Sequence, residues 1–400
     1  MSTTNNSNKR ILAIDILRGL TIAGMIMVNN PGSWGHLYAP LAHAEWNGLT
    51  PTDLVFPFFM FVMGMCIYIA MKKFDFTYSP ITLHKIVKRM LLIYLVGIAM
   101  GWFSKFCSRL VSPLEGAEWW QQAWYMVWSF DTIRLTGVLA RLSVCYGITA
   151  LLAVSIRHKH IPYIILGLLV SYWCILLAGN GWAYDMTNIL SVVDRYVLTE
   201  AHMYDDNGID PEGLLSTLPA IAHTLLGFWI GKSVFSVTNG EIQTMGHAVE
   251  TSLSKVLPLF IAGALLTFSG FLLSYGCPIN KKIWSPTFVL TSCGMASTLL
   301  AVLVWVIDVK EHRRWCKFFE VFGVNPLFLF VMSGVVSVIF RTVRWTWEGT
   351  TKNLTRFLYE DLFSPLFGEY GGSLAYALLV VGILWAMGLY LYNRKIYIKL

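Results

Sequence analysis

Charged residues are scarce in this sequence. Only 13% of its 400 residues are Asp, Glu, Lys or Arg, against roughly 25% in an ordinary soluble domain. Hydrophobic residues make up 56% of the chain, and the mean hydropathy is +0.58. A soluble fold of this length could not bury so much apolar surface. The composition therefore excludes a soluble domain and indicates a membrane protein.

The sequence also contains no CxxC pair of cysteines, and we expect no cleavable leader. The seven cysteines are scattered and form no CxxC pair, so we expect neither a disulfide framework nor a metal site. The first ten residues are polar, and the first apolar segment contains Asp15 and Arg18. A signal peptide would not tolerate those charges, so we expect that segment to stay as the first span. The net charge of +7 comes from short clusters between apolar runs, which argues against a nucleic-acid partner.

Apolar runs recur along the whole chain, each able to cross or nearly cross about 30 Å of hydrocarbon. They fall at 12–29, 54–71, 90–104, 137–156, 161–178, 217–231, 256–275, 285–307, 320–340 and 373–392. The sequence therefore predicts an all-α, polytopic membrane protein of about ten transmembrane helices. We expect one domain over 1–400, with a helical bundle at 12–392 between cytoplasmic tails at 1–11 and 393–400.

The distribution of Lys and Arg predicts the orientation. These residues cluster in segments such as 72–89 and are absent from 30–53. Cytoplasmic loops carry the excess of Lys and Arg, so both termini are expected inside. The long loops are then outside, where a shaped functional surface is expected; they are 30–53, 105–136, 179–216 and 341–372.

The first helix carries a stripe of polar side chains. A charge within a span is costly and suggests function. Asp15 and Arg18 are spaced to pair on one helix face, and Asn29 falls on the same stripe. The alternative is a structural ion pair near the inner end, with Arg18 reaching towards the surface.

The first outside loop contains a candidate base. His43 lies just before the second span, and Asp53 is placed at the start of that helix, where the dipole favours an anion. Imidazole titrates near neutral pH, so His43 could deprotonate an attacking amine or hydroxyl, or carry an acyl group itself. The alternative is an ordinary solvated side chain.

For each of the further polar residues, the sequence allows two alternative roles. Arg134 and Arg141 are seven residues apart and are expected on one helix face. They could bind the phosphates of CoA. Alternatively they form structural ion pairs, in which Arg134 would pair with Asp131. Asp210 before Pro211 is typical of a helix N-cap and first turn.

His223 and Asn325 also lie in predicted spans. His223 could be catalytic or a packed side chain, and Asn325, before Pro326, could bridge a helix break or bind ligand.

Several motifs together resemble one family. They are Asp15-Ile-Leu-Arg18-Gly19-Leu with MIMVNNPG, the run HAEWNGLTPTDLVFPFFMFVMG, RLTGVLARLSVCYG at 134–147, Asp210-Pro-Glu-Gly-Leu-Leu-Ser-Thr-Leu-Pro-Ala-Ile, and GVNPLFLF at 323–330. In this order they resemble the heparan-α-glucosaminide N-acetyltransferase family of transmembrane acyltransferases. The family often has Pro and Gln where this chain has Thr136 and Ala140, and its animal members have an extra N-terminal lumenal region.

The resemblance implies an enzyme that takes acetyl from cytoplasmic acetyl-CoA and transfers it to an amino sugar or glycan on the other side. It implies that His43 is the family's essential histidine and that Asn29 is the asparagine that ends its first helix. Our expectation is therefore catalysis by His43, Asn29 and Asp53, with the other polar residues binding ligands. We expect the donor near Arg18, Arg134, Arg141, Trp46 and Asn47, and the acceptor near Asp15, Asp210, Asn325 and His223.

Two other functional classes are compatible with the sequence. A secondary transporter of a small polar or sugar-like solute also places charges in spans, and a scaffold protein is a third class. The acceptor, and the choice between an acetyl-histidine intermediate and direct transfer, are not readable from the sequence. We expect a bacterial cytoplasmic (inner) membrane location, lipid contact and a homodimer.

Overall fold

The computed structural model describes residues 12–236, 245–347 and 349–398; the predicted tail at 1–11 lies outside the described residues. The longer helices are α1 (Leu12–Asn29), α2 (Pro51–Lys72), α3 (Pro80–Leu110), α5 (Val138–Ser155), α6 (Ile161–Ala178), α8 (Thr217–Ser236), α9 (Met245–Leu273), α10 (Pro286–Val304), α12 (Pro326–Thr342) and α14 (Ser364–Asn393). Shorter helices are α4 (Trp119–Val127), α7 (Ile189–Leu198), α11 (Cys316–Val324) and α13 (Leu354–Arg356). A hairpin pairs β1 (Arg344–Trp347) with β2 (Thr350–Asn353) in antiparallel register.

The predicted all-α membrane fold is confirmed. Within the described ranges, nine helices are long and apolar enough to cross a membrane, and α11 with α12 forms a bent pair that brings the number to as many as ten. The observed helix bounds differ from the predicted apolar runs where charged residues extend a helix. α3 starts at Pro80 and has 31 residues, well beyond the predicted run 90–104, because Lys85, Lys88 and Arg89 continue the helix at one end.

Glycines let the central helices approach each other closely. A Cβ at Gly64 of α2 would lie 2.1 Å from the carbonyl oxygen of Thr224, and one at Gly227 of α8 would lie 2.2 Å from that of Phe61. Small residues permit such backbone contact in membrane bundles. The close packing of α2 against α8 fixes the helix that begins beside His43.

The loops that the distribution of Lys and Arg predicts to be outside lie together at one end of the bundle. The Gly48 N–H donates to the Ile279 carbonyl (2.8 Å), and the Leu135 N–H donates to the His202 carbonyl (2.9 Å). Gly48 has φ +127°, a conformation that favours glycine. We call this the His43 end; it contains parts of 30–50, 128–137, 179–216 and 274–285.

At the opposite end, the bend between α11 and α12 contacts the last described residues of the chain. α11 and α12 meet at Asn325 with a bend of 85°. The Asn325 side chain donates to the Ile396 carbonyl (2.9 Å) and accepts from the Ile398 N–H (2.8 Å). Asn325 is almost fully buried. The Asn325 side chain therefore ties the α11–α12 bend to the C-terminal segment, and it makes no cap hydrogen bond across the bend itself.

Candidate active site

His43 and Asp53 form a close pair at the start of α2. Thr50 is the N-cap, Pro51 follows it, and Asp53 is the third helical residue, which makes a capping box with Thr50. The His43 Nδ1 lies 2.7 Å from Asp53 Oδ1. Asp53 is buried, whereas 42% of the His43 side chain is exposed. The predicted place of Asp53 at the helix start is confirmed.

The partners of Asp53 decide which nitrogen of His43 carries its proton. Asp53 Oδ2 accepts from the N–H groups of Ala44 and Thr50 (both 3.1 Å) and from Thr50 Oγ1 (2.9 Å). Oδ1 is left to accept from His43, so Nδ1 is the protonated nitrogen. Nε2 then offers a lone pair, and it has no hydrogen-bond partner among the described residues. This is the arrangement of a general base or a nucleophilic imidazole.

A lysine from another loop completes this cluster. Lys281, between α9 and α10, places Nζ 3.4 Å from Asp53 Oδ1 and 3.1 Å from His43 Nδ1. Burial lowers the pKa of Lys281, and the negative charges of Asp53 and Glu212 oppose that shift. The sequence analysis missed Lys281; its only signal was two adjacent lysines in a short loop on the side where positive charge is scarce.

Trp46 and Asn47 lie in the same loop as His43 and anchor it. Trp46 Nε1 donates to the Trp182 carbonyl (3.0 Å), and its ring stacks on Tyr184 with centroids 4.5 Å apart. The Asn47 side-chain oxygen accepts from Asn280 (3.2 Å). Both residues thus connect the His43 loop to neighbouring loops. Their expected contact with the donor remains a prediction.

Arg134 lies in an ion-pair cluster, and two expectations about it are wrong. α5 begins at Val138, so Arg134 precedes the helix and does not share a helix face with Arg141. Its partners are Asp210, bound by both Nε and Nη2, and Glu212 at 2.6 Å. Asp131 instead pairs with Arg109 (3.7 Å), since Arg134 is held by two carboxylates of the 204–213 loop.

Asp210 is not a helix N-cap, because α8 begins only at Thr217. Its buried carboxylate accepts from Thr136 Oγ1 (2.5 Å) and from the N–H of Tyr204 (3.0 Å), besides the guanidinium of Arg134. Burial alone would raise the pKa of Asp210, but Arg134 and these donors hold it below its ordinary value. Asp210 therefore fastens the 204–213 loop to the segment before α5.

Arg141 and His223 are buried beside Trp284. Arg141 Nη2 donates to the Gly213 carbonyl (3.2 Å) and to Ser216, and its guanidinium carbon lies 5.0 Å from the Trp284 ring centre. Arg141 Nε and Nη1 have no partner among the described residues. His223 Nε2 bonds to the Pro57 carbonyl (2.8 Å), and its ring is fully buried. This geometry favours the packing role for His223.

The polar stripe of α1 is divided between the two ends. Arg18 pairs with Asp15 (2.7 Å), and its Nε donates to the Gly323 carbonyl (2.8 Å). The predicted Asp15–Arg18 pair therefore forms, and it ties α1 to α11 at the end opposite His43. Asn29, the last residue of α1, is exposed and has no hydrogen bond to His43 in the described part of the chain. Its catalytic role remains a prediction.

The fold and this site define the class. The chain is a polytopic, all-α membrane protein with a histidine–carboxylate pair at one end of its bundle. Residues 10–108 match a family model described as a domain of unknown function (DUF5009).

Two curated relatives extend the similarity. The chain is 27% identical over 383 residues to heparan-alpha-glucosaminide N-acetyltransferase of Homo sapiens, covering 80% of this chain and 52% of that protein. It is 26% identical over 389 residues to the Mus musculus protein of the same name, covering 84% and 55%. These similarities relate the chain to the heparan-alpha-glucosaminide N-acetyltransferase family. The chain spans about half the length of the curated relatives it matches.

Proposed function

We propose that this protein is a membrane acetyltransferase that moves acetyl from cytoplasmic acetyl-CoA to the amine of an amino sugar or glycan at the His43 end. The observation that carries the proposal is the pair of His43 and buried Asp53, which leaves Nε2 with a lone pair and with no hydrogen-bond partner in the part of the chain that the structure describes. The names of the two relatives support the reaction class.

In direct transfer, the acceptor amine attacks the thioester carbonyl and His43 Nε2 takes its proton. The C–N bond forms, the C–S bond breaks, and CoA leaves as a thiolate. In the two-step route, Nε2 itself attacks the carbonyl and CoA leaves as a thiolate. The acceptor amine then attacks the acetyl group on Nε2, the C–N bond to the amine forms, the bond from the acetyl carbon to Nε2 breaks, and the freed Nε2 takes the proton of the amine. In both routes Asp53 holds Nδ1–H and stabilises the positive charge that develops on the ring.

Arg141 is the arginine best suited to contact the acyl group. Its Nε and Nη1 nitrogens are buried and have no hydrogen-bond partner among the described residues. A buried donor without a partner is costly, so an acyl oxygen would satisfy it. Arg134 and Arg18 already bind carboxylates, and we propose that they support the site mainly by holding loops and helices in place. The exposed Asn29 and Asn47 would be available to an incoming substrate.

The proposal is tested by adding radiolabelled acetyl-CoA and a panel of amino sugars to membranes that contain the protein. We expect a labelled N-acetyl sugar with the wild-type chain and none above background with His43→Ala. His84→Ala changes an exposed histidine of α3 and serves as the control, with activity near wild type. Equal product from His43→Ala and wild type would refute the role of His43.

A further inference from the structure

Trp284 combines full burial with a backbone conformation that is unusual for a bulky residue. It lies between α9 and α10, its side chain is 1% exposed, and its φ is +53°. A left-handed backbone at a bulky residue other than glycine is strained, and such residues cluster at active sites and ligand sites. The N–H of Trp284 donates to the Lys281 carbonyl (3.0 Å), and the N–H of Ser285 donates to the Asn280 carbonyl (3.0 Å). This turn holds the strained conformation in place.

The indole N–H of Trp284 is a buried donor without a hydrogen-bond partner in the described part of the chain. Buried indole N–H groups usually have a partner, because an unpaired buried donor is costly. The ring packs edge to face with Phe56 and Phe288, with ring centres 5.5 and 5.2 Å apart, and lies 5.8 Å from the ring of His223. Aromatic packing therefore fixes the ring and leaves its N–H for another group.

Arg141 adds two more donors beside this ring. Its guanidinium carbon lies 5.0 Å from the centre of the Trp284 ring. Nη2 is occupied by the Gly213 carbonyl and by Ser216, whereas Nε and Nη1 are buried and have no partner among the residues that the structure describes. Arg141 and Trp284 thus present three buried N–H donors in one small region. An acceptor oxygen that carries or develops negative charge is the group that such donors fit.

This region is connected to the His43–Asp53 pair in two ways. Phe56, which packs on Trp284, follows Asp53 by three residues in α2 and so lies on the same helix face, one turn further along. Lys281, whose carbonyl accepts from the Trp284 N–H, places its Nζ 3.1 Å from His43 Nδ1. The helix and the loop that position His43 and Asp53 therefore also position Trp284.

We propose that Trp284 is a further catalytic residue, whose indole N–H acts with Arg141 to bind the carbonyl oxygen of the donor's acyl group. This inference rests on the proposed function. When the amine attacks the thioester carbon, the C–N bond forms and the carbonyl oxygen takes the electron pair of the C=O double bond. When the C–S bond breaks, that pair restores the double bond, CoA leaves as a thiolate, and the proton of the amine goes to His43. Buried donors that hold the oxygen stabilise the charge between these two events.

The experiment compares two ligands that differ at the carbonyl group. Acetyl-CoA has the oxygen, whereas S-ethyl-CoA is a thioether without it, and calorimetry in detergent measures the affinity of each. Trp284→Phe keeps an aromatic ring and removes the N–H donor. We expect this variant to bind acetyl-CoA roughly 2–10-fold more weakly than wild type, the range for one lost neutral hydrogen bond, and to bind S-ethyl-CoA as wild type does. Its kcat should fall by about 10²–10³-fold, the effect of losing one donor to the oxyanion.

Trp385→Phe is the matched control. Trp385 of α14 stacks on Phe318 with ring centres 5.7 Å apart, and its indole N–H is likewise buried without a partner within the described ranges. We expect this variant to keep the wild-type affinity for both ligands and a kcat near wild type. It therefore separates the loss of a particular donor from the general effect of replacing a buried indole by a smaller ring.

The ratio of the two affinities decides the outcome. A ratio in Trp284→Phe equal to that of wild type overturns the inference, because a packing defect weakens both ligands alike. Trp284→Leu replaces the Phe variant if the latter is not recovered folded. Wild-type protein that transfers acetyl while the ratio is unchanged contradicts only the role of Trp284. Wild-type protein that does not bind acetyl-CoA contradicts the proposed function, and the inference with it.

Discussion

Replacing Asp53 by Asn should reverse the tautomer of His43. Three donors converge on Oδ2, namely two backbone N–H groups and the Thr50 hydroxyl. The amide oxygen of the variant must occupy that position, because an NH2 group there would face donors. The NH2 group then lies at the Oδ1 position and donates to His43 Nδ1, which must accept. The proton of the neutral ring is forced onto Nε2, the nitrogen that the reaction requires to be free.

The cost to the reaction should be large and the cost to folding small. A positioned general base contributes about 10²–10⁴-fold, so kcat should fall by roughly that factor in Asp53→Asn. The shape of the side chain is unchanged, and most of its hydrogen bonds remain. Exchanging charge-assisted bonds for neutral ones should cost on the order of 1–2 kcal/mol of folding free energy. Initial rates with radiolabelled acetyl-CoA, together with melting temperatures in detergent, measure the two effects.

Asp206→Asn is the matched control for this prediction. Asp206 is also a carboxylate at the His43 end, paired with Lys282 and Tyr184, but it does not contact His43. We expect its kcat to remain near wild type. If Asp53→Asn stays within about tenfold of wild type, below even the low end of the range for a lost base, the tautomer argument is wrong.

Two further predictions concern stability. Burial raises the pKa of Asp194 from 3.8 to about 6, so the folded state binds its proton more tightly and unfolding free energy falls as pH rises through that window. Asp194→Asn should remove this pH dependence and, at pH values above the window, stabilise the protein by on the order of 3 kcal/mol. The measurement is the melting temperature as a function of pH, and a variant whose melting temperature depends on pH as in wild type would contradict the prediction. Gly19→Ala should destabilise by roughly 1–3 kcal/mol or more, since its Cβ would lie 1.8 Å from the Phe319 carbonyl oxygen. Gly382→Ala is the control, because the space around that position is open, and it should not destabilise the protein. Equal melting temperatures for the two variants would refute the packing argument.

The bundle could be predicted because a membrane span is a local property of the sequence. About 30 Å of hydrocarbon requires a long apolar run, and such runs are visible without knowledge of their neighbours. The pair of His43 and Asp53 is also local, because only ten residues separate them and the N-terminus of α2 favours an acid. Asp15 and Arg18 likewise pair within one helix turn.

Contacts between distant loops could not be read in the same way. Arg134 binds Asp210 across 76 residues, and Lys281 reaches His43 across 238. The sequence offered Arg134 a nearer partner, Asp131, but the chain folds so that two carboxylates from the 204–213 loop surround it. The helix expected at Pro211 begins at Thr217 instead, because Asp210 is engaged with Arg134 and Thr136 rather than with a helix end.

Sidedness is the most direct test of the proposed activity. Sealed proteoliposomes are loaded with radiolabelled acetyl-CoA, and an amino sugar is supplied only outside. The account predicts labelled N-acetyl sugar in the external medium with the wild-type chain and none with His43→Ala, while acetyl-CoA itself stays inside. Product formed only when donor and acceptor share a compartment, or intact acetyl-CoA appearing outside, would contradict transfer across the membrane at His43.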